Sequence, residues 1–257
     1  MLDVLALCTP EDYRFLAELL ESPLNRTADS GLKALAARYE RTQDPTLRDQ
    51  LDDKIDKALR YLGSSDLAYA IREATGQTPG VSLDEVISDA ARMLRVPVPP
   101  TGSFRARTEA LVESHATRTL EAMSPEDQQR MLEDLGVEKQ QAVRFVKTAA
   151  GVYAFPALVA AFQGFIIEGL LRRIVFGTIT KLVGRRLSVA LFGSLLAKMP
   201  WWLKVIGPIS TAAAVAWTTL DLQGPALRQT VPAVLYLGLV GHRARLQSVP
   251  VVEVEAE

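Results

Sequence analysis

TAAGVYAFPALVAAFQGFII, Thr148 to Ile167, carries no formal charge over its whole length. A helix needs about 20 apolar residues to cross a hydrocarbon core of roughly 30 Å. The stretch is therefore long enough to be a membrane span, or it is the central helix of a soluble bundle. The rest of the chain has to decide between them. Further uncharged runs occupy 187–197, 205–220 and 229–241. At ~1.5 Å per residue the second of these reaches roughly 24 Å and the third roughly 20 Å, short of a comfortable crossing. Within the longest run, Gly151, Pro156, Gln163 and Gly164 are tolerated in membrane helices but weaken the case for a span. Three states fit the pattern: a conditionally inserting protein, a permanent hairpin, and a soluble bundle that shelters the run.

Charge divides the chain at the same place. Residues 1–147 hold 19 basic and 25 acidic side chains, a net −6. Residues 148–247 hold ten basic side chains against Glu168 and Asp221, a net +8, and Glu253, Glu255 and Glu257 bring the total to −1. Such a split suggests two environments or two partners.

The acidic part reads as helix throughout. Thr9-Pro10-Glu11-Asp12 and Ser124-Pro125-Glu126-Asp127 share one helix-start device: a capping hydroxyl, a proline in the first turn and carboxylates near the positive end. Ser82 with Glu85 makes a capping box. Apolar spacing predicts further helices over about 31–42, 46–62, 65–75, 83–95 and 104–123. In the second of these, Leu47, Leu51, Ile55, Ala58, Leu59 and Leu62 form a stripe, and Asp49, Asp52, Asp53, Asp56 and Lys57 fill a solvated face. VPVPPTGS, 96–103, is the clearest linker, and 248–257 reads as a tail. The expected fold is all-α, a multi-helix bundle with an apolar C-terminal helical part. Its expected divisions are an acidic part at 1–100, connecting helices at 101–147 and a basic apolar part at 148–247.

Chemistry is conspicuous by what is missing. Cys8 is the single cysteine, and His115 and His242 are the only histidines, so a Cys/His metal set cannot be assembled. No P-loop, G-x-S-x-G or H-E-x-x-H motif occurs, and TGQTPG at 75–80 reads as a turn. No enzymatic activity, cofactor or nucleic-acid partner is expected. The N-terminus lacks the basic region and apolar length of a signal peptide.

The basic part points to lipid instead. Its cations are interleaved with Val, Leu, Ile and Phe, which suits anionic lipid better than a phosphodiester backbone. Arg172, Arg173, Arg185 and Arg186 are the candidates for headgroup contact. Lys198-Met199-Pro200-Trp201-Trp202-Leu203-Lys204 adds an interfacial Trp pair between lysines. The five cations of 172–186 spread right around a helix, so the stretch is expected either to break near Gly177 or Gly184 or to lie partly in protein and partly at lipid headgroups. Gly207–Trp217 is rich in small residues that let helices approach closely. Arg228 and Asp221 are expected to form a structural ion pair.

Three segments carry a family resemblance. LDVLALCTPEDYRFLAELL at 2–20, YLGSSDLAYAIREATGQTPGVSLDEVISDAARMLRV at 61–96 and ALRQTVPAVLYLGLVGHRAR at 226–245 resemble the YaaW-like proteins, an uncharacterised bacterial family. The last is the closest, with Arg228, Thr230, Pro232, Ala233 and Val234 at the family's R-x-T-x-P-A-V positions. The chain departs from the pattern at Gly63-Ser64 and Arg72-Glu73. The resemblance implies a bacterial setting and a grouping with ubiquinol–cytochrome c chaperones. The expectation is a non-enzymatic, membrane-associating helical protein, conditionally inserting or membrane-perturbing. It would lie in the bacterial cytoplasm, peripheral to or inserting into the inner membrane, with anionic lipid or a protein as partner. A stress or defence setting is attached to no residue. The alternative is a soluble chaperone-like or adaptor module that assists assembly of a membrane complex.

Overall fold

The structure, a computed structural model, describes residues 1–20, 31–62, 80–149, 154–183 and 227–247. Among these residues the fold is all-α, with no strand. The helices are α1 (Leu2–Leu5), α2 (Pro10–Leu20), α3 (Leu32–Thr42), α4 (Pro45–Leu62), α5 (Leu83–Leu94), α6 (Phe104–Glu121), α7 (Pro125–Asp134), α8 (Lys139–Ala149), α9 (Phe155–Ala161), α10 (Gly164–Val183) and α11 (Leu227–Gln247).

The helix starts follow from local chemistry. Thr9 and Asp12 exchange bonds: Thr9 N donates to Asp12 Oδ2 at 2.7 Å, and Asp12 N donates to Thr9 Oγ1 at 3.3 Å. Ser82 and Glu85 close a full capping box, and Ser124 caps α7 with Pro125 just inside it. The linker at 96–103 is pinned by Arg107, whose guanidinium is buried. It pairs with Asp84 and donates to the Pro99 carbonyl at 2.9 Å.

Helix α11 organises the core. It packs on α6 and α10 and also reaches α1, α2, α4 and α5. Every residue of 230–242 is buried, so a run too short to span a bilayer serves as the central helix of the bundle. The approach to α6 is close. A Cβ on Gly238 would stand 2.3 Å from the Thr108 carbonyl oxygen, so only glycine fits there. Phe15 of α2, Phe176 of α10 and Tyr236 of α11 meet ring to ring.

Three expectations change. Thr148–Ile167 is not one helix: its first residues end α8, Phe155–Ala161 forms α9, and α10 begins at Gly164. Pro156 suits a helix start rather than a helix interior. Phe162, extended and buried, then turns the chain by packing its ring 4.7 Å from that of Phe145. The expected break at Gly177 is absent, because α10 runs through it, and Gly184 lies outside the described residues. Asp52 belongs to no solvated face: it is half-buried and accepts a 2.5 Å bond from the Tyr13 hydroxyl. The helix predicted at 65–75 and the tail lie outside the described residues.

Candidate functional site

The corner made by α9 and the start of α10 is where the uncharged run meets solvent. On α9, Phe155 and Leu158 face inward, followed by Phe162 beyond its end. Pro156, Ala157, Val159 and Ala160 face outward, and Phe165 stands at the head of α10 with 63% of its surface exposed. Among the described residues, Val159 and Phe165 are the large apolar side chains left exposed. Helix α8 flanks the corner, touching it through Phe145 and through Gln141, whose amide donates to the Ala161 carbonyl at 3.4 Å. From Lys139 to Ile167 the sequence holds Lys139, Arg144 and Lys147 and no acidic residue. All three cations are exposed.

Behind the corner lies a buried polar network. His242 of α11 is fully buried against Phe155, with ring centroids 5.4 Å apart. Arg245 Nη2 donates to His242 Nδ1 at 2.9 Å, which leaves the ring proton on Nε2 to be donated to the Glu109 carbonyl at 3.1 Å. Arg245 also bonds Glu113 at 2.6 Å, and Arg105 bonds Glu109 at 2.7 Å. Burial pushes the His242 pKa below its ordinary value of 6.5, and the Arg245 charge adds to this. The Glu109 carbonyl and the carboxylates of Glu113 and Glu109 oppose it without reversing it. An open cleft of about 350 Å³, lined by Arg95, Glu113, Thr117, Arg118, Glu121 and Phe155 among others, abuts this network.

A second network joins the two ends of the chain. Asp12, 2% exposed, accepts from Tyr236 at 2.6 Å and from Arg243 at 3.0 and 2.5 Å. Burial pushes its carboxyl upward. The hydrogen bonds and charge of Arg243, with Tyr236 and Thr9, outweigh this and hold it below the ordinary range. Burial, with Asp12 nearby, raises the Cys8 thiol far above its ordinary value, so the thiolate needed for reactivity does not form. His115 is also buried, shares a 2.7 Å hydrogen bond with Thr178, and has its pKa pushed down to about 4 by burial and by Lys181 and Arg118. No group of three His, Cys, Asp or Glu able to hold a metal occurs among the described residues.

The residues named from sequence fall as follows. Arg172 pairs with Glu168 one turn away, and Arg173 pairs with Asp134 at 2.8 Å, both guanidinium groups being largely covered. Arg185, Arg186, Lys198, Trp201, Trp202, Lys204 and Asp221 lie outside the described residues. Arg228 lies in the first turn of α11, with its side chain outside the description. The His242 and Asp12 networks escaped sequence reasoning, since their members come together only through α11. The one local signal was ALRQTVPAVLYLGLVGHRAR itself, an apolar helix that ends in three charged or titratable residues.

The molecule thus belongs with all-α bundles that carry polar networks at the end of a buried central helix. It is similar to the UPF0174 protein of Helicobacter pylori (strain J99 / ATCC 700824), 27% identical over 188 residues, which cover 70% of this chain and 67% of that protein. The likeness agrees with an uncharacterised bacterial family. No protein-family model matches the chain, and no solved structure matches it.

Proposed function

We propose that this is a non-enzymatic protein that associates reversibly with anionic bilayer surfaces through the α9–α10 corner. The observation that carries the reading is the pairing of exposed Phe165 and Val159 with three exposed cations, Lys139, Arg144 and Lys147, in a run from Lys139 to Ile167 that holds no acidic residue. The magnitudes favour reversible contact. Covering the exposed parts of the two apolar side chains contributes roughly 2–3 kcal/mol, and each cation near an anionic surface about 1 kcal/mol. Together these match the marginal binding of a single acyl chain. No helix among the described residues is long and apolar enough to cross a membrane, so the proposed contact needs no span. The sequence adds a second lipid-favouring cluster, Arg185, Arg186, Lys198, Trp201, Trp202 and Lys204, outside the described residues. The YaaW-like resemblance, with its chaperone grouping, supports a place beside a bacterial membrane complex.

Vesicle flotation tests this. The intact protein is expected to float with vesicles containing phosphatidylglycerol and to stay behind with neutral phosphatidylcholine. Phe165→Ser and Lys147→Glu should each reduce flotation severalfold, and added salt should reduce it further. Absence of flotation with anionic vesicles at both neutral and acidic pH would overturn the proposal.

A further inference from the structure

His242 ties α9 to the body of the molecule. Its ring lies between α6 and the Phe155 side chain at the start of α9. Only the neutral ring satisfies its surroundings, because Nδ1 must accept from Arg245 while Nε2 donates to the Glu109 carbonyl. A second proton, on Nδ1, turns that acceptor into a donor and sets it against a guanidinium. The facing charges are Arg105, Glu109 and Glu113 on α6 and Arg245 on α11, while α9 presents Phe155 and no charge. The two carboxylates and two guanidinium groups already balance. A charged His242 would therefore leave one uncompensated positive charge in a fully buried position, a costly arrangement. Protons have a route, since the cleft reaches both Glu113 and Phe155 at the edge of the network.

We infer that His242 is an acid-released latch on α9: protonation of its ring breaks the Arg245 bond, loosens the Phe155 contact and frees α9 from the bundle. Release exposes Phe155, Leu158 and Phe162, the buried side of a corner whose outer side is already apolar. The apolar surface offered to a bilayer then grows at the acidic end of the histidine range. The depressed pKa of His242 sets the direction: the ring is neutral above its ordinary value of 6.5 and charges only as pH falls below it. The use of the latch rests on the membrane reading, but its motion does not.

Hydrogen exchange across α9, corrected for intrinsic rates, reads the motion without lipid. Protection over 155–161 is expected to fall about tenfold or more between about pH 7.5 and about pH 5. His242→Gln, neutral at both, should keep its protection, and His242→Lys should lack it at both. Should His242→Gln fail to fold, ring nitrogen shifts of the wild-type protein give the same information, since α9 opening must share its midpoint with His242. Unchanged α9 protection, equal loss in His242→Gln, or a midpoint that follows His115 would each overturn the latch. Flotation run in parallel separates the two readings. Opening of α9 without flotation at either neutral or acidic pH keeps the latch and sinks membrane association. Flotation without opening does the reverse.

Discussion

Asp12 accepts hydrogen bonds from Thr9, Tyr236 and Arg243 while almost wholly out of water. Removing it strands a guanidinium that is itself mostly covered. A severed buried pair costs about 3–5 kcal/mol, and the partial exposure of Arg243 places Asp12→Ala near the lower end, about 3 kcal/mol. Tyr236→Phe removes one neutral donor to a charged acceptor and should cost about 1–2 kcal/mol. Urea denaturation at neutral pH checks both values and their order. The pH behaviour follows from the lowered carboxyl. Its stabilisation is present above the ordinary value of 3.8 and is lost as pH falls through the lowered one. Asp12 therefore plays no part in changes between neutral pH and pH 5, where the histidines act.

Helix α11 can lie so near α6 because Gly238 and Gly241 lack side chains, and the two glycines should not respond alike. At Gly238 the added carbon meets backbone, 2.3 Å from the Thr108 oxygen, so the helices must separate. At Gly241 it meets the Glu109 carboxylate at 2.6 Å, a side chain that can rotate away. Gly238→Ala should cost about 3 kcal/mol and Gly241→Ala about 1 kcal/mol, the second chiefly by disturbing the Arg105–Glu109 bond. Chemical denaturation of the two variants side by side tests the difference. The same contrast explains what could be read from sequence. Helix starts at Thr9, Ser82 and Ser124 were legible because a cap and its first turn are neighbours in the chain. The corner at Phe162 was not, since within AFQG only Gly164 disfavours helix, and the turn is decided by Phe145 lying across from it. Close packing was expected from Gly207–Trp217, outside the described residues. It is found at Gly238 and Gly241, inside a run whose apolar character masked them. Asp12 read as a helix-dipole carboxylate because Arg243 lies 231 residues away.

At the scale of the whole molecule the −6/+8 division is in part a complementarity within one chain. Arg173, Arg243 and Arg245 from the basic part pair with Asp134, Asp12, Glu109 and Glu113 from the acidic part, across helices that share one core. The Arg243–Asp12 pair persists at mildly acidic pH, since that carboxyl is held below its ordinary 3.8, and the two buried histidines bring an acid sensitivity of their own. His115 makes the larger statement. Its pKa falls from 6.5 unfolded to about 4 folded, through burial first and then Lys181 and Arg118. An unfolded chain therefore binds a proton that the folded chain refuses between those values. The associated stability is complete above pH 6.5 and drains away as pH falls toward 4, on the order of 3 kcal/mol in all. His242 contributes with the same sign. Denaturation midpoints measured in steps from neutral pH to pH 4 should decline steadily for the wild-type protein. His115→Gln, neutral throughout and still able to bond Thr178, should show a slope shallower by nearly one proton's worth, about 1.4 kcal/mol per pH unit at most. If the two slopes coincide, His115 already accepts its proton in the folded state, and the α6–α10 contact around Thr178 must open to admit it.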